Sequence, residues 1–289
     1  MLALLLGLAL ASARPIRVVT TIPDLADWVR NVGGERVAVA SLLNGNEDPH
    51  TYEPAPDDAR AIARADLLVR VGLGLEDWLD GLVSNAGNKR LATIDVSKGV
   101  DILRDVESRG PAGETQGHPF GNPHIWLDPQ NAKAAAFRIA GALSAVDSPI
   151  ASLYQANALR FGQRLDSLTD TLTQLVKTLP DRRFVSYHET WPYFCHRFGF
   201  EVVAAIEPLP GQEPSARYLA GLVKLVSTEK VRVIVTEPQL PADIPKALAR
   251  ETGAEIVVLS PLTGSLPGTS TYLALISHNV RTLAAALAQ

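Results

Sequence analysis

The chain has 289 residues, a length that favours two lobes, and its 46% hydrophobic and 20% charged residues exclude a disordered chain. Its 27 Lys and Arg residues against 31 Asp and Glu residues leave a formal net charge of −4, so no excess of positive charge points to nucleic acid as a partner. A single cysteine, Cys195, excludes an internal disulfide framework and any metal site built from several cysteines.

An apolar run opens the sequence at residues 2–10, and the small residues Ala11-Ser12-Ala13 follow it. The run is too short to span a bilayer of about 30 Å, so we expect residues 1–13 to be a signal peptide rather than a buried first strand or helix. No cysteine follows the run to carry a lipid anchor. We therefore expect an exported, soluble protein of the periplasm without stable membrane insertion.

From residue 14 on, strand-like and helix-like patterns alternate along the chain. Strands are predicted at 16–20, 36–43, 67–71 and 91–96, and helices follow the first strand and occupy residues 56–65. This alternation is typical of βαβ units with parallel strands, so residues 14–147 are expected to form an α/β lobe with helices flanking its sheet.

The second half repeats the order of the first. Strands are predicted at 183–186, 201–206 and 231–236, with helices at 191–199 and 215–228 between them. An internal duplication explains this recurrence, and residues 180–289 are expected to form a second, similar α/β lobe. Because parallel sheets bind ligands at the carboxyl ends of their strands, a binding site is expected in the cleft between the lobes.

A long helix is predicted at residues 148–179, between the two lobes. Asp147 is expected to be its N-cap, and Pro149 is tolerated in a first turn. Apolar residues recur at 161, 165, 168, 172 and 175, and the helix would be about 45 Å long. The apolar seam indicates either packing against both lobes or a coiled-coil dimer contact; two heptads are short for the latter, so we expect a monomer.

Three histidines lie in loops that lead into predicted helices: His50, His124 and His188. A single loop histidine is more often a surface or structural residue than a ligand, but three at comparable positions point to a shared site. Imidazole binds zinc, copper, nickel and iron, so convergence of the three would make a transition-metal site. The other histidines are expected to have surface or structural roles: His118, His196 and His278.

Two of these histidines lie in motifs that resemble a known family. Residues 48–54 (Asp-Pro-His-Thr-Tyr-Glu-Pro) and 123–129 (Pro-His-Ile-Trp-Leu-Asp-Pro) are similar to ligand motifs of the zinc/manganese substrate-binding proteins of ABC importers, the TroA/ZnuA-like or cluster A-I family. Segments of the second half, at 213–215, 236–239 and 251–254, are similar to further family landmarks. The resemblance covers residues 16–289. It implies two α/β lobes joined by one long helix, a metal in the cleft and a membrane permease as partner.

The resemblance places His50, His124 and His188 on the family's first three ligand positions. The fourth ligand in the family is commonly an aspartate in a Val-Leu-Asp-Pro-Leu segment, where this chain has Ser260. A serine hydroxyl is a poor ligand for a divalent metal, so either water completes a three-histidine site or a nearby acid does. The candidate acids are Glu189, Glu207 and Glu237.

The ligand set favours Zn²⁺ over Mn²⁺ as the bound cargo, because manganese prefers more carboxylate oxygen. We therefore expect a periplasmic solute-binding protein, not an enzyme, that captures zinc and delivers it to an ABC importer permease. The alternatives are a manganese- or iron-binding member of the same family and, from another class, a zinc hydrolase with a three-histidine site. A surface adhesin is less favoured. Because the long helix restricts hinge motion, metal release is expected to involve the loops around His50 or His188.

Overall fold

The computed structural model describes residues 14–103, 119–207 and 213–289. The expected signal peptide at 1–13 lies outside this range, and so does His118. The described chain contains two parallel four-stranded sheets with helices packed around them. The predicted architecture of two α/β lobes joined by one long helix is thereby confirmed.

The first lobe contains a sheet in which β1 lies between β2 and β3, and β4 forms the edge beyond β3. Its strands are β1 (Ile16–Thr20), β2 (Val37–Ser41), β3 (Leu67–Arg70) and β4 (Ala92–Asp95). Branched and aliphatic residues dominate β1 and β3, which are buried as expected for inner strands covered by helices.

The second lobe repeats this topology. Its strands are β5 (Arg183–Ser186), β6 (Glu201–Ala205), β7 (Val233–Thr236) and β8 (Glu255–Val258), and β5 lies between β6 and β7. In both lobes the first connection leads from the first strand to a neighbour on one side, and the next connection crosses back to the neighbour on the other side. Such a switch point is where α/β sheets bind ligands, at the carboxyl ends of the strands.

The helices cover both sheets. Those of the first lobe are α1 (Pro23–Gly33), α2 (Pro56–Arg64), α3 (Leu79–Ala86) and α4 (Pro129–Val146). The connecting helix is α5 (Ala151–Lys177), and those that follow it are α6 (Pro192–Phe198), α7 (Ala216–Glu229), α8 (Asp243–Thr252) and α9 (Tyr272–Leu287). Among the residues that the structure describes, none of these helices is both long enough and apolar enough to cross a membrane.

The start of α5 differs from the prediction. Residues Ser148–Ile150 form a short 3-10 turn, and the helix begins at Ala151, so Asp147 is not its N-cap. The carboxylate of Asp147 instead accepts hydrogen bonds from Arg36 at 2.7 Å and from the Tyr154 hydroxyl at 3.1 Å. Arg36 and the Tyr154 side chain of α5 thus take up this carboxylate, and the ion pair with Arg36 links the junction to the first lobe.

The two lobes share a continuous apolar core that includes residues of both sheets and the buried face of α5. Buried hydrogen bonds reinforce this contact: the Trp126 indole donates to the Pro261 carbonyl at 2.7 Å, and the Tyr272 hydroxyl donates to the Trp126 carbonyl at 2.6 Å. The Asp24 carboxylate on α1 accepts from the backbone N–H and the hydroxyl of Thr263. The loop after β8 is therefore fixed against the first lobe.

Candidate metal centre

The three predicted histidines come together at the carboxyl ends of the strands, in loops from both lobes. His50 lies in the loop after β2, His124 in the segment that leads from β4 to α4, and His188 two residues after β5. His124 and His188 are buried, and His50 is half-buried. The second lobe thus contributes His188 at its switch point, and two loops of the first lobe bring His50 and His124 next to it.

The imidazole nitrogens converge on one point. One ring nitrogen from each histidine lies within 4.8 Å of the others, and the Nε2 atoms of His50 and His124 are 3.1 Å apart. Tetrahedral zinc with Zn–N bonds of about 2.0–2.1 Å requires its nitrogens to be about 3.3 Å apart. The separation of His50 and His124 is close to this value, so these two imidazoles are spaced to bind one zinc ion.

A small cavity surrounds this point. The residues that line it come from both lobes: Asp48, Pro49, His50, His124, His188, Glu237, Gln239, Leu240 and Pro261. Within the described ranges, the three histidines form the group of His, Cys, Asp and Glu side chains that is close enough to hold an ion.

Hydrogen bonds orient His124. Its Nδ1 lies 3.0 Å from Oδ1 of Asn122, which also accepts from the backbone N–H of His124. Because the Asn122 oxygen can only accept, the ring carries its proton on Nδ1, and the lone pair of Nε2 is the one that can bind a cation. The amide of Asn122 donates to the Glu189 carbonyl at 2.6 Å, which links this first-lobe residue to the second lobe. Asn122 was not predicted, although it is the first residue of an Asn-Pro-His sequence.

His188 is oriented by a carboxylate. Its Nδ1 lies 3.3 Å from Oε1 of Glu237, the first residue after β7, and the Thr190 hydroxyl lies between the two side chains and donates to Glu237 at 2.9 Å. Burial disfavours the charged form of His188, but the charge of Glu237 and its hydrogen bond outweigh burial and raise the pKa of His188. A carboxylate behind a ligating imidazole is a common arrangement at metal sites.

The equivalent position in the first lobe is filled by a buried carboxylate. Glu76 accepts from the Thr21 hydroxyl at 2.7 Å and from the backbone N–H groups of Val71 and Gly72 at 2.7 and 2.9 Å. These donors occupy the carboxyl ends of β1 and β3. At the switch point the first lobe therefore has the carboxylate of Glu76, whereas the second lobe has His188. The histidines that the first lobe contributes come from its other loops.

Ser260, at the position of the aspartate expected from the resemblance, is fully buried, and its hydroxyl is used internally. It accepts from the backbone N–H of Leu262 at 3.1 Å and from the amide of Gln239 at 3.2 Å, and it also contacts the Ser265 hydroxyl. The cluster of ligand atoms does not include the carboxylates of Glu189, Glu207 or Glu237. Of these acids, Glu237 is the one that lines the cavity.

Comparisons with known proteins agree with this geometry. A profile of the family described as "ZnuA: Zinc-uptake complex component A periplasmic" matches residues 18–286. The manganese-binding lipoprotein MntA of Halalkalibacterium halodurans is 29% identical over 279 residues, which cover 95% of this chain and 89% of that protein. The zinc-binding protein AdcA of Streptococcus pyogenes is 25% identical over 285 residues, and this chain spans 55% of its length.

Solved structures are similar to this chain over nearly its whole length. A zinc-bound deletion mutant of ZnuA superposes with a TM-score of 0.82 at 29% identity, covering 95% of this chain and 99% of that one. The laminin-binding adhesin Lmb of Streptococcus agalactiae, in a mutant form, also gives a TM-score of 0.82 at 29% identity, over 94% and 99% of the two chains. The profile match over most of the chain, together with these similarities, shows that the chain belongs to the ZnuA family.

Proposed function

We propose that the chain is a periplasmic binding protein that captures a divalent transition metal, with zinc as the preferred cargo, and delivers it to the permease of an ABC importer. The convergence of His50, His124 and His188 carries this proposal. Three imidazoles without a carboxylate in the cluster favour zinc over manganese, which prefers more oxygen ligands. The names of the relatives include both metals, so a manganese or iron cargo is the alternative within the family.

The proposed ligands are the three histidines, with water at the fourth position. His50 and His124 would bind through Nε2, the atoms that already face each other at 3.1 Å. Glu237 is proposed to hold the ring of His188, because it lies 3.3 Å from that imidazole and outside the cluster of ligand atoms. Since the Ser260 hydroxyl is engaged with its own loop and with Gln239, we assign it no direct contact with the metal.

The proposed organisation of the chain follows from this role. Residues 14–147 and 180–289 are the two lobes that form the cleft, residues 148–179 link them, and residues 1–13 are the export signal. Because α5 and the shared core join the two lobes, release is proposed to occur by movement of the loops around His50 or His188. The protein would act as a monomer that docks on its permease.

Metal analysis of the isolated protein tests this proposal. The full chain, purified from the periplasm without added metal, is expected to contain about one equivalent of zinc, because three convergent imidazoles bind zinc tightly. His50→Ala should lose this zinc, whereas His278→Ala on α9 should retain it. The assignment of the site would be refuted if the wild-type protein were isolated without transition metal. It would also be refuted if His50→Ala contained as much zinc as the wild type.

The hydrolase alternative receives no support from the residues around the site. Zinc on three histidines with water resembles a catalytic centre, but catalysis also requires a substrate pocket, and the cavity around the histidines is small. We propose that the site is not catalytic. Zinc-loaded protein should show no esterase or CO₂-hydration activity above that of His124→Ala, and activity that disappears in this variant would establish the alternative.

A further inference from the structure

Gln239 is a cavity-lining residue that the ligand assignment leaves without a role. It lies three residues after the end of β7 and lines the cavity together with the three histidines. Its side chain makes one contact to each lobe: the amide nitrogen donates to the Gly45 carbonyl at 2.6 Å and to the Ser260 hydroxyl at 3.2 Å. Gly45 belongs to the loop that carries His50, so Gln239 joins that loop to the second lobe.

These contacts fix the orientation of the amide. A backbone carbonyl can only accept, so the branch that faces Gly45 must be the nitrogen, and the other branch must be Oε1. This oxygen is buried, and it has no hydrogen-bond partner within residues 14–103, 119–207 and 213–289. A buried amide oxygen without a partner is unfavourable, and in native proteins such an atom usually indicates a ligand or an ordered water.

The loop of Gly45 leaves little room for an alternative placement. Gly45 has a φ of +103°, and a Cβ atom at this residue would lie 2.8 Å from the Thr263 carbonyl. The loop is therefore closely packed on the segment that follows Ser260. Because the amide nitrogen of Gln239 is bound on this packed surface, its oxygen is held in place before any cation arrives.

We propose that Gln239 is a specificity-determining residue whose side-chain oxygen accepts a hydrogen bond from the water at the fourth coordination position of the captured cation. This inference rests on the proposed function. A water bound to a divalent cation is a strong donor, because the cation withdraws electron density from it, and it needs an acceptor in a buried site. Gln239 thus supplies the oxygen contact in place of the aspartate that the resemblance expects at position 260.

The uncharged amide of Gln239 affects which metal the site prefers. A carboxylate would add a negative charge and a hard oxygen ligand, which favour manganese, whereas an amide behind a bound water adds neither. Because position 260 has no carboxylate and the Gln239 amide is uncharged, the ligand set stays neutral. Zinc accepts three imidazoles and one water, so this ligand set suits zinc better than manganese.

Zinc titration and Co²⁺ absorption spectra of the full chain test the role of Gln239. Gln239→Leu should weaken zinc binding about 10- to 100-fold, the range for outer partners of a metal site, and should change the Co²⁺ spectrum. Gln239→Glu, which retains an acceptor oxygen but loses the donor to Gly45, should bind zinc more tightly than Gln239→Leu. Ser260→Ala is the matched control, because it removes one contact of the amide and leaves Oε1 in place; its affinity should stay within about threefold.

Three results would overturn the inference. Gln239→Leu could bind zinc within twofold of the wild type with an unchanged Co²⁺ spectrum. Gln239→Glu could be as weak as Gln239→Leu, or Ser260→Ala could lose as much affinity as Gln239→Leu. Either result would assign the effect to the hydrogen bonds of the amide nitrogen instead of the oxygen. If the wild-type chain bound no zinc at all, the proposed function itself would fail, and this outcome is distinguished by the wild-type titration alone.

Discussion

The Nε2 atoms of His50 and His124 lie 3.1 Å apart, although 74 residues separate them in the chain. The two rings are tilted by 54° with centroids 5.1 Å apart, so they face a common point without stacking on each other. Each belongs to a loop of the first lobe, and the ring of His188 from the second lobe lies within 6 Å of both centroids. A cation at this point would be held by both lobes at once.

Removal of one imidazole should abolish tight binding. His124→Ala deletes the most buried of the three side chains and is expected to weaken zinc binding more than about 100-fold, beyond the range for outer partners of a metal site. His196→Ala on α6, an exposed position, is the control and should leave affinity unchanged. Equal zinc affinities of the two variants, measured by competition with a chromophoric chelator, would exclude His124 as a ligand.

Glu237 should act through His188. Glu237→Gln keeps the shape of the side chain and a hydrogen bond to Thr190 but removes the charge beside the imidazole. Zinc affinity is expected to fall about 10- to 100-fold, because a carboxylate partner fixes the ring and increases its basicity. Glu251→Gln, an exposed substitution on α8, serves as the control for the change of charge. Zinc titrations of both variants measure the difference, and a change below twofold for Glu237→Gln would contradict its role.

The contact between α1 and the loop after β8 should make stability depend on pH. Burial raises the pKa of the Asp24 carboxyl to about 7. The hydrogen bonds from Thr263 lower this pKa, but they offset only part of the effect of burial. The folded chain therefore binds this proton more tightly than the unfolded chain, whose carboxyl has a pKa of about 4. The stability that Asp24 contributes is fully present below about pH 4 and is lost as the pH rises through 7. The difference between a pKa of about 4 in the unfolded chain and about 7 in the folded chain corresponds to about 4 kcal/mol.

Asp24→Asn should remove this dependence. The free energy of unfolding of the wild type, measured in urea, is expected to decrease relative to that of the variant as the pH rises from 5 to 8. Glu35→Gln, an exposed substitution just after α1, is the control and should follow the wild type. If the wild-type and Asp24→Asn curves were parallel over this range, Asp24 would not be the group that titrates.

The sequence predicts the fold well because each lobe is built from local patterns. The inner strands are short β-branched runs, and the helices at 56–65 and 215–228 differ from α2 and α7 by no more than one residue at either end. The N-cap prediction at Asp147 failed because a distant partner, Arg36, takes its carboxylate. Strand β8 and helices α3 and α8 were not predicted.

The site is predictable only in part. His50 and His124 stand out because their motifs are local, and His188 follows a recognisable strand. The contact of Gln239 with Gly45 joins residues 194 positions apart, and no local pattern signals it. The role of Glu237 likewise depends on β7 lying next to β5, so the sequence identifies it as one acid among three but does not identify its partner.

The most direct test of the central claim is a calorimetric titration of the full-length apoprotein with Zn²⁺ and, separately, with Mn²⁺. Three imidazoles and a neutral fourth position predict one zinc ion per chain and an affinity for zinc well above that for manganese. Tighter binding of manganese than of zinc, or the absence of a single saturable zinc site, would contradict the account.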